Sequence, residues 1–92
     1  MGDLDKIRQN LDRLDEQIIS LLAERKELIE QVINFKKTND IPSLQPKRRD
    51  QVTANWRKFA KKKGLDPDIA ERLWTLLHEY FLRLEEKALK KK

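Results

Sequence analysis

The chain has 92 residues with no cysteine, two glycines and three prolines, which amounts to one small domain and excludes a disulfide scaffold, a thiolate metal cluster and a cysteine nucleophile. Lys+Arg 21 against Asp+Glu 16 gives a net charge of +5, and 40% charged with 38% hydrophobic residues means either disorder or strong amphipathic patterning. The lone histidine, His78, argues against a zinc site or a Ser-His-Asp triad. No apolar run approaches the ~20 residues of a membrane span, and no signal-peptide core opens the chain. These features read as a soluble, cytoplasmic protein.

The patterning is helical. Apolar residues fall at Leu4, Ile7, Leu11, Leu14, Ile18, Leu21, Leu28, Val32 and Phe35, alternating steps of three and four as on a helix face that packs on another helix. Neither Gly nor Pro interrupts the stretch between Asp3 and Asp40, so one helix is expected over about 4–38. Pro46 suits a first helical position and Gly64 a left-handed stop, which predicts a second helix over about 46–63 with a stripe of Val52, Trp56 and Phe59. Asp66-Pro67 reads as an N-cap and first turn. The third helix then runs over about 67–89 with the face Ile69, Leu73, Leu76 or Leu77, Tyr80, Leu84 and Ala88. Lys90-Lys91-Lys92 reads as a frayed, solvated end. The fold class is all-α, with three helices and a very long N-terminal one.

That first helix is too long for its chain. Roughly 33 residues at ~1.5 Å each make a rod of about 50 Å, whereas a compact chain of this size is about 30 Å across. A second copy is the simplest cover for an apolar stripe that runs to both ends of the rod, so an intertwined homodimer is expected. The alternative is a helix broken near Glu24–Lys26 and folded into a monomeric bundle.

One residue breaks the seam. Of its ten positions nine are apolar and the tenth is Arg25, whose burial costs several kcal/mol unless an anion meets it. Arg8 and Lys36 share a heptad position beside the seam. Along a straight helix Arg25 is about 25 Å from Arg8 and about 16 Å from Lys36. One small ligand reaches Arg25 and Lys36 together, and Arg8 only from an antiparallel partner. Arg48, four residues before Val52, adds a cation on the inner edge of the second helix. Inward cations with no matching internal acid imply a small polyanion; the competing reading is a buried ion pair, with Asp15 as one possible acid, that fixes helix register.

The stretch Ile7-Arg8-Gln9-Asn10-Leu11-Asp12-Arg13-Leu14-Asp15, followed by Leu21-Leu22-Ala23-Glu24-Arg25, resembles the opening helix of the all-helical chorismate mutases. The likeness continues through Val32-Ile33-Asn34-Phe35-Lys36, Ile41-Pro42, Gln45-Pro46-Lys47-Arg48 and Gly64-Leu65-Asp66-Pro67, and so covers essentially the whole chain. It implies an intertwined dimer of three-helix chains that converts chorismate to prephenate, with no metal and no cofactor. By the same resemblance Arg8 of the partner and Arg25 would hold the two substrate carboxylates. Lys36 would meet a carboxylate and the ether oxygen of the breaking bond, Arg48 would extend the cationic wall, and Glu85 would face that ether oxygen. The rearrangement is concerted and needs no nucleophile or general base. It needs a held, reactive conformer and stabilisation of charge on the ether oxygen, tasks that suit bidentate arginines and a lysine point charge.

Some positions depart from that pattern. Arg49 stands where the family usually has a glutamate that accepts from the C4 hydroxyl, and an arginine cannot accept; it also disfavours an amino group there. Gln45 replaces a common aspartate. Phe81 stands where a small or hydroxyl-bearing residue or a tyrosine is usual, and either narrows the pocket or joins the apolar face with Leu77 and Leu84. Glu85 replaces the usual glutamine, so donating to an ether oxygen requires a protonated carboxyl, which burial favours and nearby Lys36 and Arg49 oppose. Isochorismate-pyruvate lyases share the scaffold and also lack the acid replaced by Arg49, but keep glutamine at the Glu85 position. A catalytically weak paralogue acting as a dimerisation or regulatory module is a further alternative. A basic run of Arg57, Lys58 and Lys61-Lys62-Lys63, with Trp56 or Phe59 for stacking, suggests nucleic acid. The interspersed acids favour a solvated helix face instead. Trp56 and Trp74 read as core anchors, and Asp12, Asp15 and Glu16 as surface ion-pair partners.

Overall fold

The computed structural model describes residues 2–42 and 45–90, with Lys90 described by its backbone alone. Helix α1 spans Gly2–Asn39, α2 Pro46–Lys62 and α3 Pro67–Lys90, and the described residues include no strand. Lys91 and Lys92, part of the expected solvated tail, lie outside the described residues. The chain divides into two compact units, Met1–Gln31 and Val32–Lys92.

Each helix end has a local cause. Asp3 and Asp5 sit in the first turn of α1 and Lys36 and Lys37 in its last, complementing the helix dipole at both ends. The helix stops where Asp40 turns left-handed, φ 54, and the Ile41 amide donates back to the Lys36 carbonyl at 3.0 Å, closing a Schellman motif. Thr38 Oγ1 and Asn39 Nδ2 donate to the Phe35 carbonyl at 3.0 and 2.9 Å, satisfying it once the backbone ladder has ended. Helix α2 begins with Pro46 behind Gln45, which offers no side-chain cap. It ends at Gly64, φ 78, where the Leu65 amide reaches the Ala60 carbonyl at 2.8 Å. Asp66 caps α3 by accepting from the Asp68 amide at 2.9 Å, and Pro67 fills the first helical position.

Met1–Gln31 is helical throughout its described residues, and Leu4, Ile7, Leu11, Leu14, Ile18 and Leu21 are all exposed. Half-buried positions here are Leu22, Arg25 and Ile29, of which only Arg25 belongs to the expected seam.

Within Val32–Lys92, α2 and α3 form an antiparallel pair. Trp74 Nε1 donates to Thr53 Oγ1 at 3.0 Å, and Arg57 donates to Asp68 at 2.9 Å and Glu71 at 3.0 Å. The pairing thus moves down one helix as it moves up the other. The two carboxylates raise the Arg57 pKa above its ordinary value, chiefly through the Asp68 bond and then that to Glu71. Ile33, Val52, Ala60, Ala70, Trp74 and Phe81 form the core, with the Trp56 and Trp74 ring centroids 5.7 Å apart. Both tryptophans serve as anchors, Trp74 buried and Trp56 half-buried.

The face expected of α3 requires correction. Ile69, Leu73, Leu76 and Tyr80 are exposed, as is Phe59 of α2, while Leu77, Leu84 and Ala88 are half-buried. The side of α3 that turns inward carries Ala70, Trp74, Phe81 and Glu85. Helix α3 is apolar around much of its circumference, so spacing alone offers two stripes. The large aromatic rings claim the inner one because they remove the most apolar surface from water. The other stripe borders an open groove of about 610 Å³ that includes Phe59, Leu65, Ile69 and Leu73.

Candidate active site

The site grows from the C-terminal end of α1 and the last third of α3. Lys36 lies in the last turn of α1, on a half-buried position one turn beyond buried Ile33. Glu85 continues the Ala70–Trp74–Phe81 face of α3 and is only 7% exposed. The two meet. Lys36 Nζ lies 2.6 Å from Glu85 Oε1, with side chains 13% and 10% exposed.

That contact corrects one expectation: an internal acid does match an inward cation. Spacing alone hid it, because Glu85 is 49 positions from Lys36 along the chain and lies on a face of α3 whose inward direction was left open; only the resemblance had put the two near each other. Buried charge of either sign is expensive unless paired, so the pair accounts for how both side chains are accommodated.

The remaining candidates sit as follows. Phe81, one turn before Glu85, is buried, with its ring centroid 5.1 Å from that of Tyr80. Arg49 is half-buried and its Nε lies 3.4 Å from Asp50 Oδ1. Arg48 is exposed rather than on an inner edge and donates to Gln51 Oε1 at 2.7 Å. Gln45 is exposed at the α2 N-cap. In the other unit Arg8 is exposed and Arg25 half-buried. His78, half-buried, lies with its ring 5.3 Å from Trp74.

A support not anticipated from the sequence ties the α2 end of this region to the core. The Thr53 hydroxyl donates to the Arg49 carbonyl at 2.9 Å and accepts from Trp74 Nε1. The signal available was the four-residue spacing from Arg49 to Thr53, which lets a hydroxyl bond back one turn. Among the described residues no group of three or more His, Cys, Asp or Glu side chains is placed to hold a metal ion, and no helix is long and apolar enough to cross a membrane.

A family model described as chorismate mutase type II matches residues 7–86. The chain belongs to that family. Its function is accordingly that of a chorismate mutase, an isomerase. The chorismate mutase of Methanocaldococcus jannaschii is 30% identical over 86 residues, covering 94% of this chain and 87% of the relative. A 4-amino-4-deoxychorismate mutase of Streptomyces pristinaespiralis is 29% identical over 83 residues, 90% of this chain and 64% of the relative. The T-protein of Enterobacter agglomerans is 32% identical over 71 residues, 77% of this chain and only 19% of that longer protein. One of these relatives is thus named for a 4-amino substrate, the group that Arg49 was expected to disfavour.

Proposed function

We propose that residues 1–92 act as a single catalytic domain that pairs with a second copy. The pair would rearrange chorismate to prephenate in sites shared between the chains. The pair would act in the cytoplasm. The observation that carries this reading is the nearly buried Lys36–Glu85 pair in a chain of this family. The pair fixes a buried cation beside Glu85, and such a preorganised cation is what charge building on an ether oxygen requires.

In this reading Arg25, Lys36 and the partner's Arg8 grip the two carboxylates and hold the compact conformer in which the new C–C bond can form. Lys36 and Glu85 stabilise the ether oxygen as its C–O bond breaks. Arg48 and Arg49 line the mouth with positive charge, Gln45 sits beside them at the start of α2, and Phe81 packs behind Glu85. No group attacks the substrate, and electron movement stays within its ring and side chain.

The pairing is supported by the exposed stripe on α1. Its nine large apolar side chains, spaced from Leu4 to Phe35, are each 43% to 63% exposed, and covering such a side chain yields about 1.5–3 kcal/mol.

The test is chorismate consumption with prephenate as product, run beside isochorismate with salicylate as product and beside 4-amino-4-deoxychorismate. Chorismate is expected to be the preferred substrate. Arg25→Ala should cut kcat/KM by about 10²–10³ while leaving helicity unchanged. Because Glu85 must carry a proton to donate, activity should increase towards acidic pH, and Glu85→Gln should flatten the profile. Folded protein that leaves all three substrates untouched would replace the enzyme reading with that of a non-catalytic paralogue.

A further inference from the structure

We propose that Thr53 is a positioning residue for Arg49: its hydroxyl, held by the Trp74 indole, fixes the backbone from which Arg49 meets the anionic substrate. The inference rests on the reading above, in which Arg49 lines the mouth of the site. It adds a residue that touches no substrate yet sets how tightly one is held.

The start of α2 has little of its own to hold it. Gln45 supplies no side-chain cap, and the first turn contains no acid. Instead Lys47, Arg48 and Arg49 follow one another there, at the end of a helix where the dipole is already positive. A turn so composed frays readily, because its free amides lack a capping oxygen and its charges oppose the dipole. The Arg49 amide donates to the Gln45 carbonyl at 3.0 Å, which closes the turn but does not join it to α3. The side-chain bonds of Arg48 to Gln51 and of Arg49 to Asp50 also stay within α2.

Thr53 supplies the link between helices. Trp74 is buried, and its Nε1 donates to Thr53 Oγ1 at 3.0 Å. An indole N–H can only donate, so the hydroxyl accepts there and keeps its own proton for the Arg49 carbonyl, 2.9 Å away. Threonine hydroxyls often bond back one turn in a helix. Here the indole decides which way the hydroxyl points, and the buried ring is the fixed point. Residue 49 is thereby tied to the α3 core by two bonds in series, which keeps its half-buried side chain leaving the helix from a set place. A cation that grips an anion at the mouth holds ground state and transition state alike. Loosening it therefore raises KM and spares kcat.

The experiment is steady-state kinetics of the intact protein with chorismate, on wild type, Thr53→Val, Thr53→Ser and Thr53→Val/Trp74→Phe. Thr53→Val keeps the shape but makes neither bond; it should raise KM about fivefold, as one lost hydrogen bond does, with kcat within about twofold. Thr53→Ser should restore the wild-type KM. The double variant strands no indole N–H, which guards against misfolding, and should show the same raised KM. In an Arg49→Ala background Thr53→Val should change KM by less than about twofold, because the side chain it positions is gone. An unchanged KM in the folded variants, or a fall in kcat alone, would overturn the proposal. So would a fivefold rise that persists beside Arg49→Ala, since the effect would then run through another residue. A folded wild type that turns over no chorismate would withdraw the functional reading and the positioning role with it. Turnover that ignores Thr53→Val removes the positioning role alone.

Discussion

The two halves of this small chain solve the burial problem in opposite ways. Val32–Lys92 builds a core of its own, with Trp74, Phe81, Val52 and Ala60 closing α2 on α3 and Trp74 hydrogen-bonded across to Thr53. Met1–Gln31 is a single stretch of helix whose large apolar side chains from Leu4 to Leu21 stay exposed. One half is stabilised by contacts within the chain. The other presents a continuous apolar seam that its own unit leaves uncovered, and that seam is the basis for proposing a second copy.

Charge placed in the seam is expected to have the largest effect. Ile18→Glu should reduce the species seen by sedimentation from twice 11.0 kDa to the single chain or an unfolded one, with turnover lost. A variant that stays paired and active would show that the seam is not the interface. Next comes the pair in the other half. Lys36→Met strands a buried carboxylate and should cost about 3 kcal/mol in denaturant unfolding, much of it recovered in Lys36→Met/Glu85→Gln. Equal stability of the two variants would mean that the pair is not buried in solution. The smallest effect is expected at Trp74→Phe, which keeps most of the ring but removes the bond to Thr53. It should cost about 1–2 kcal/mol, with substrate turnover shifted less than twofold.

Much of this was legible in the sequence, for identifiable reasons. The helix boundaries follow from punctuation that acts locally: Pro46 and Pro67 at first turns, Asp66 as a cap, and Gly64 at φ 78. The α1 seam was legible as a period. Its exposure in the chain follows from the same arithmetic that made the rod too long.

Direction was harder to read. Helix α3 carries apolar residues on two sides, and only packing reveals that Trp74 and Phe81 turn inward while Leu73 and Tyr80 turn out. The Lys36–Glu85 contact was illegible as geometry because it joins the end of one helix to the end of another, and no local rule couples residues so far apart. The reverse error occurred at Arg48. Its spacing from Val52 suggested an inner edge, but the first turn of α2 leaves it exposed and bonded to Gln51.

The central claim is that each site takes Arg8 from one copy and Lys36 from the other. Mixing two inactive variants, Arg8→Ala and Lys36→Ala, and allowing the chains to exchange tests it most directly. The mixed dimer holds one site with both residues intact and one with neither. With half the dimers mixed, activity should recover to about a quarter of wild type, as two-fold symmetry dictates. Activity that never rises above that of the separate variants, with exchange verified by mass, would contradict a site shared between chains.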